Sequence, residues 1–444
     1  MTVAEAVAPL VLSAVGREVP VAISGWDGSR IGPTSAQWAI KINNRRGLRR
    51  LLWAPNELGF ARAYVSGDIE VEGNLLDGLE VLEQMSDPAR GPGVRIDAET
   101  KKAVVKAALR LGIIGPPPKP PTEEAKLAGG HRHDKRRDAS AISHHYDVGN
   151  DFYRLVLGES MTYSCGYWAT PDEGLAVAQY AKCDLVARKL GLTAGMRVLD
   201  VGCGWGTFAL HAARTYGVRV VGVTLSREQA DYASKRMIEE GTRELVEIRV
   251  QDYRDIDDGP FDAISSIGMA EHVGATMLPT YAGHLYGLLR PQGRLLNHAI
   301  SVRPGKPAAL SKTSFIDRYV FPDGEIQPMA TVIDALERAG FEVRDVESLR
   351  EHYSRTLRAW VSNLEDNWQE AVTFSSAGRA RIWHGLCTRS TGPPGHRDPP
   401  KERDAMNRPA EPQRTSPVGA PDRAASKIAW RSRRFNELRG GVIQ

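Results

Sequence analysis

The 444-residue chain is 42% hydrophobic, 7% aromatic and 25% charged. That composition excludes collagen, a disulfide scaffold and wholesale disorder, and the length suits two or three domains. A net charge of +4 falls short of the lopsided field that non-specific nucleic-acid binding needs, so no nucleic acid is expected, while an anionic membrane surface stays open. No apolar run is long enough to span a bilayer, and Val7–Val15 follows acidic Glu5 rather than a basic stretch. The location therefore reads as cytoplasmic. Cys165, Cys183, Cys203 and Cys387 are spaced too widely for zinc and read as free thiols.

In chain order, short β-like runs at Val19–Ser24 and Gln37–Asn43 flank the turn signal Trp26-Asp27-Gly28, and helical patterns follow at Leu75–Met85 and Ala98–Leu111. Residues 1–113 thus form a small α+β domain. Within it Arg45, Arg46, Arg49 and Arg50 cluster beside Leu48, Leu51, Leu52 and Trp53, either a basic rim for an anionic bilayer or a solvated face over the N-terminal core. Pro116 to Pro121, Gly129-Gly130 and the charged run His131–Arg137 read as a stiff, exposed linker over 114–140. His131, His133 and Asp134 lie in that linker with nothing to preorganise them, so no metal site is expected.

From 141 to 384 strands and helices alternate: Arg197–Val201, a helix to Tyr216, Arg219–Val223, helix Arg227–Glu240, Val246–Val250, Phe261–Ile267, helix Met277–Arg290 and Arg294–Ser301. Such alternation implies an α/β domain with a parallel, doubly wound sheet. Residues 385–444 hold eight prolines and ten arginines and keep no helix or strand period, so the tail reads as disordered or as a shifted reading frame. Only Lys427–Phe435 escapes the proline veto on strands.

The segment from Val198 through Asp200 to Thr207 is an apolar strand, then Gly202, Gly204 and Gly206 at alternate positions, then a helix. Glycines let a ligand approach the main chain, and the helix N-terminus offers free N–H groups to an anion. The spacing is not that of a dinucleotide fingerprint, and the second strand ends Gly222-Val223-Thr224 rather than in an acidic residue, which disfavours NAD. No phosphate-binding loop of the nucleoside-triphosphatase type occurs. S-adenosylmethionine remains, with Asp200 near its ammonium and Asp252 near its adenine.

Further stretches point the same way: Tyr146 to Tyr153, Met161-Thr162-Tyr163-Ser164-Cys165, Gly268-Met269-Ala270-Glu271-His272-Val273-Gly274 and Tyr319-Val320-Phe321-Pro322-Asp323-Gly324. Together, in this order from about Gly59 to Trp383, they resemble the cyclopropane-fatty-acyl-phospholipid synthase family, and its actinobacterial members most. The resemblance implies a Rossmann-like class I methyltransferase that moves the sulfonium methyl to the cis double bond of an unsaturated phospholipid acyl chain, through a carbocation that loses a proton. It implies peripheral contact with the membrane and leaves a homodimer open. It also implies a bound bicarbonate ion as proton acceptor, held by Cys165, Glu271, His298, the Ile300 backbone and Tyr353. Cofactor contacts carry over as Tyr163, Ser164, Gly202 to Gly206, Thr224, Leu225, Ser226, Gln229, Asp252 and Tyr253. Cation-stabilising faces are expected from Tyr146, Tyr163, Tyr167, Trp168, Tyr319 and Phe321.

Taken singly, Cys165 reads as a small buried hydrophobe, Glu271 and His272 as a helix cap, and His298 as a satisfied core histidine. The same cation chemistry without ring closure gives methylene- or methyl-branched acyl chains, and a catalytically inactive cofactor- or lipid-binding protein is the reading of another class. The tail departs from the family, whose members end in a helix, a glycine-phenylalanine turn and a hydrophobic strand. Loss of that strand from within the sheet is expected to leave unpaired edges.

Overall fold

The computed structural model describes residues 2–8, 21–36, 38–54, 56–73, 108–125, 134–146, 148–305, 310–390 and 439–443. The helix expected at Leu75–Met85, most of that at Ala98–Leu111, the residues His131 and His133, and the tail over 391–438 lie outside them.

Near the N-terminus β1 (Val21–Ser24), β2 (Arg30–Ile31), β3 (Trp38–Ile42) and β4 (Ile69–Gly73) form a sheet in the order β2-β1-β3-β4. The Trp26-Asp27-Gly28 turn joins β1 to the two-residue β2, and β3 pairs parallel on the other side of β1 instead of across the turn. Gly32 at φ +107° and Pro33, which has no ladder donor, end β2 early. Between β3 and β4 lie the helices Arg45–Trp53 and Glu57–Val65, each opened by an asparagine whose side chain accepts first-turn N–H groups: Asn44 from Arg46 and Gly47, Asn56 from Gly59. Arg45 and Arg46 are exposed, but Arg50 is buried and bonds Asp68 at 2.9 Å, so it leaves the basic rim.

From Ile113 to Lys119 the chain, exposed at Pro116, Pro117 and Lys119, is held by hydrogen bonds from the helix Arg45–Trp53. The backbone there accepts from Arg49 at Ile113, Trp53 at Gly115 and Arg50 at Lys119. The carboxylate of Glu124 is buried between Arg62 of the N-terminal domain and Arg318 of the next. Leu58, Ala61 and Val65 pack with Phe315, Tyr319, Val320, Ile382 and Leu386, so one apolar cluster crosses the boundary. The charged run ends in a helix, Lys135–Tyr146, with Asp134 accepting from Arg137 N at 2.7 Å.

The main sheet has the order β10-β11-β9-β8-β5-β6-β7, with β5 (Arg197–Val201), β6 (Arg219–Thr224), β7 (Val246–Val250), β8 (Phe261–Ile267), β9 (Leu289–His298), β10 (Phe341–Val346) and β11 (Arg439–Ile443). Every pairing in it is parallel. The helix expected over Met277–Arg290 ends at Leu288, and β9 begins at Leu289, five residues before the expected start. Buried clusters cover both faces of the sheet, as a doubly wound architecture requires.

The tail expectation is corrected at both ends. The helix Ala377–Ser390 runs past His384. The last residues form β11, which pairs with both β9 and β10 and so satisfies edges that were expected to be bare. This segment lies beyond the last proline, Pro421. Its two glycines and five-residue length hide it from pattern reading.

Candidate active site

The C-terminal ends of β5, β6, β8 and β9 open into a cavity of about 530 Å³, the place where open α/β sheets bind ligands. After β5 the glycine loop is pinned by Gly202 and Cys203, whose N–H groups both donate to Val223 O at 3.0 Å. Its glycines have different jobs. A Cβ on Gly206 (φ +77°) would meet Met237 Cε at 2.8 Å, whereas one on Gly204 (φ +55°) would meet nothing within 4 Å. Gly206 therefore serves packing, and Gly204 leaves main chain open to a ligand.

At the end of β5, Asp200 accepts from Ser265 Oγ through Oδ1, while its buried Oδ2 has no partner. Burial pushes its carboxyl up to about 6. Thr224 ends β6 and Leu225 follows it, both on the cavity wall, and Thr224 Oγ1 donates to Gln229 at 2.7 Å. Tyr163, Ser164, Gln229 and Tyr253 also line the cavity, but Gly206, Ser226 and Asp252 do not. Ser226 caps the following helix by accepting from Gln229 N. Asp252, expected beside the adenine, accepts from Arg254, which bonds Asp138 as well.

Cys165, Glu271, His298, Ile300 and Tyr353, drawn from four distant parts of the chain, all line the same cavity. His298 ends β9, whose register pairs it with Ile267 of β8, so the short helix Ala270–Val273 that carries Glu271 lies next to it. Glu271 sits inside that helix rather than capping it. The Ile300 N–H donates to Glu271 Oε1 at 2.7 Å, and Oε2 is buried without a partner. Burial raises the Glu271 carboxyl to about 7. His298 is not a satisfied core histidine: Nδ1 is buried and unpartnered, and burial first, then the Lys182 and Lys189 charges, lower its pKa to about 3. Burial pushes the Cys165 thiol up to about 12 and the Tyr353 phenol higher. Near neutral pH the group thus presents a thiol, a phenol, a neutral imidazole and a half-protonated carboxyl, which suits a small anion rather than a metal. Among the described residues no cluster of metal ligands occurs.

Of the expected aromatic faces, Tyr146, Tyr163 and Phe321 line the cavity. Tyr167 stacks on His352 at 4.8 Å, Trp168 donates to Thr356 Oγ1, and the Tyr319 hydroxyl donates to Glu124, so these three serve packing. The sequence reading missed Trp205 and Trp360, which also line the wall; Trp205 packs on Tyr146 at 5.9 Å and Trp360 on Tyr163 at 5.5 Å. It missed Lys182 too. The alternate-residue glycine pattern itself points to Trp205, whereas no local pattern marks the other two.

Comparison with known proteins places these features in a family context. Residues 133–392 match the family described as mycolic acid cyclopropane synthetase. The probable fatty acid methyltransferase Rv3720 of Mycobacterium tuberculosis is 40% identical over 376 residues, 84% of this chain and 87% of its own. The cyclopropane-fatty-acyl-phospholipid synthase of Escherichia coli K12 is 38% identical over 265 residues, 59% of this chain and 67% of its own. The crystal structure of mycolic acid cyclopropane synthase CmaA1 complexed with SAH and CTAB aligns with a TM-score of 0.52 at 32% identity, over 57% of this chain and 93% of that one.

Proposed function

The chain belongs to the mycolic acid cyclopropane synthetase family of S-adenosylmethionine-dependent methyltransferases, and we propose that it methylates the cis double bond of unsaturated phospholipid acyl chains and closes a cyclopropane ring. The observation that carries this reading is one cavity in which the open main chain at Gly204 meets the group of Cys165, Glu271, His298, Ile300 and Tyr353.

S-adenosylmethionine supplies a methyl group on a sulfonium, electrophilic enough for an alkene. The unpartnered Asp200 Oδ2 suits the cofactor ammonium, and the glycine loop leaves room for its methionine end. Methyl transfer to the double bond would leave a cation on the acyl chain, the sulfur departing with the electron pair of the broken bond. Tyr146, Tyr163, Trp205 and Trp360 surround the resulting cation with ring faces and keep water from it. Ring closure releases one proton. The orphaned Glu271 Oε2 and His298 Nδ1 fit a bicarbonate ion, which supplies the proton acceptor.

A second reading keeps the cation but places proton loss elsewhere, giving a branched chain. It is favoured by the longer match to the fatty acid methyltransferase than to the cyclopropane synthase. Mass spectrometry of lipids from a host that makes oleate and expresses the protein separates them: a gain of one CH2 in ring form supports the first, in branched form the second. No gain overturns both.

The substrate is a lipid, and the N-terminal domain offers a face for its surface. Exposed Arg45 and Arg46 border exposed Leu52 and Trp53, with Leu109 and Ile114 exposed on the adjoining segment. No helix among the described residues is long and apolar enough to cross a membrane. Contact at the bilayer surface is the mode this face supports.

A further inference from the structure

Lys182 stands on the helix Leu175–Leu190, is 2% exposed, and lines the cavity. Among the described residues its ammonium makes no hydrogen bond and no ion pair. Its neighbour one turn earlier is fully engaged: Gln179 donates to Leu157 O and Thr162 O and accepts from Ser160 Oγ. A buried ammonium without an anion is costly enough that chains seldom keep one unless a ligand completes it. Four orphaned polar atoms belong to residues of the same cavity wall, Asp200 Oδ2, Glu271 Oε2, His298 Nδ1 and Trp360 Nε1. Lys182 shares the cavity wall with Asp200, His298 and Cys165.

We propose that Lys182 is the cation of a subsite for a carboxylate-type anion, opposite in charge to Asp200 across the same cavity. The anion has two sources, the methionine carboxylate of the cofactor or a free bicarbonate ion. With the first source, Asp200 and Lys182 read the two charges of one amino-acid group, the carboxylate taking the ammonium and the ammonium the carboxylate. This arm rests on the cofactor reading above. With the second, Lys182 adds the positive charge that the neutral group around Glu271 lacks.

The test uses the full chain and its Lys182→Met variant, which is unbranched and one atom shorter, with Lys182→Gln in its place if the methionine variant does not fold. Calorimetry is run with S-adenosylhomocysteine and with its decarboxylated analogue, and melting temperature is read with and without sodium bicarbonate. A loss of affinity of about tenfold or more for S-adenosylhomocysteine, with the analogue changed by less than about twofold, assigns the cofactor carboxylate. Retained affinity with loss of the bicarbonate-induced rise in melting temperature assigns the free ion. Equal weakening of both ligands overturns the proposal, because Lys182 then acts only as a counter-charge to Asp200. So does a folded variant that keeps both responses. Failure of the wild-type chain to bind S-adenosylhomocysteine overturns the cofactor reading instead, and leaves the bicarbonate arm to be read on its own.

Discussion

Ile300 donates its backbone N–H to Glu271 Oε1 at 2.7 Å and leaves Oε2 buried without a partner. One main-chain bond thus orients a carboxyl that burial has raised to about 7. Glu271→Gln keeps the shape and removes the acid. We expect kcat to fall by ~10²–10³, the range typical of losing one electrostatic anchor, with S-adenosylhomocysteine affinity within about twofold of wild type. Activity within about threefold of wild type removes Glu271 from the chemistry.

The same group sets a pH dependence. A carboxyl whose folded pKa lies above its unfolded value binds protons more tightly in the folded state, so stability is lost as pH rises from about 4.5 to about 7. Above that window Glu271 costs the ligand-free fold up to roughly 3 kcal/mol. Glu271→Gln should therefore melt higher than wild type at pH 8, with the gap narrowing at pH 5. A gap that is constant with pH contradicts the assignment.

Gly204→Val and Gly206→Val should part company. At Gly204 the added side chain enters open space, so the variant folds, at a backbone cost of about 1–3 kcal/mol for its positive φ, and loses cofactor binding. At Gly206 it strikes Met237 and Ala233, so the fold itself suffers. Calorimetry and thermal melting distinguish them, and unchanged cofactor affinity in folded Gly204→Val excludes the loop as the binding site.

Glu124 joins Arg62 on the helix Glu57–Val65 to Arg318, 256 positions later in the chain than Arg62. Removing it leaves two part-buried cations facing each other, and Glu124→Ala should destabilise the chain by about 3 kcal/mol in urea melts. A loss below about 1 kcal/mol means solvent already serves those cations.

Because β11 sits between β9 and β10, its amides should exchange slowly with solvent although they end the chain. Deleting Leu438–Gln444 should lower the melting temperature and speed exchange in β9. Fast exchange across Gly440–Ile443 in the intact chain contradicts the pairing.

Double substitution of Arg45 and Arg46 to glutamate should weaken sedimentation with anionic vesicles by about 1 kcal/mol for each positive charge lost, with little effect on neutral ones. Equal binding by the variant excludes this face.

What consecutive residues encode is legible without the fold. The run from Val198 to Thr207 shows its strand, glycines and helix because β-propensity, glycine's freedom and helix initiation are local. The parallel sheet followed from βα alternation. Cys165, Glu271, His298, Ile300 and Tyr353 are legible as a set only through family resemblance, since nothing local distinguishes Cys165 or His298 from core residues. Tertiary structure alone decided that they meet, because register between β8 and β9 and packing of the helix at Tyr353 bring them to one cavity. It alone showed that Lys182, an ordinary helix cation in sequence, is buried without a partner, and that Asp252 accepts from Arg254. It also decided the fate of the tail. Five weakly patterned residues become a strand when two unsatisfied strand edges stand ready to receive them, a demand set by the sheet and invisible in the segment itself.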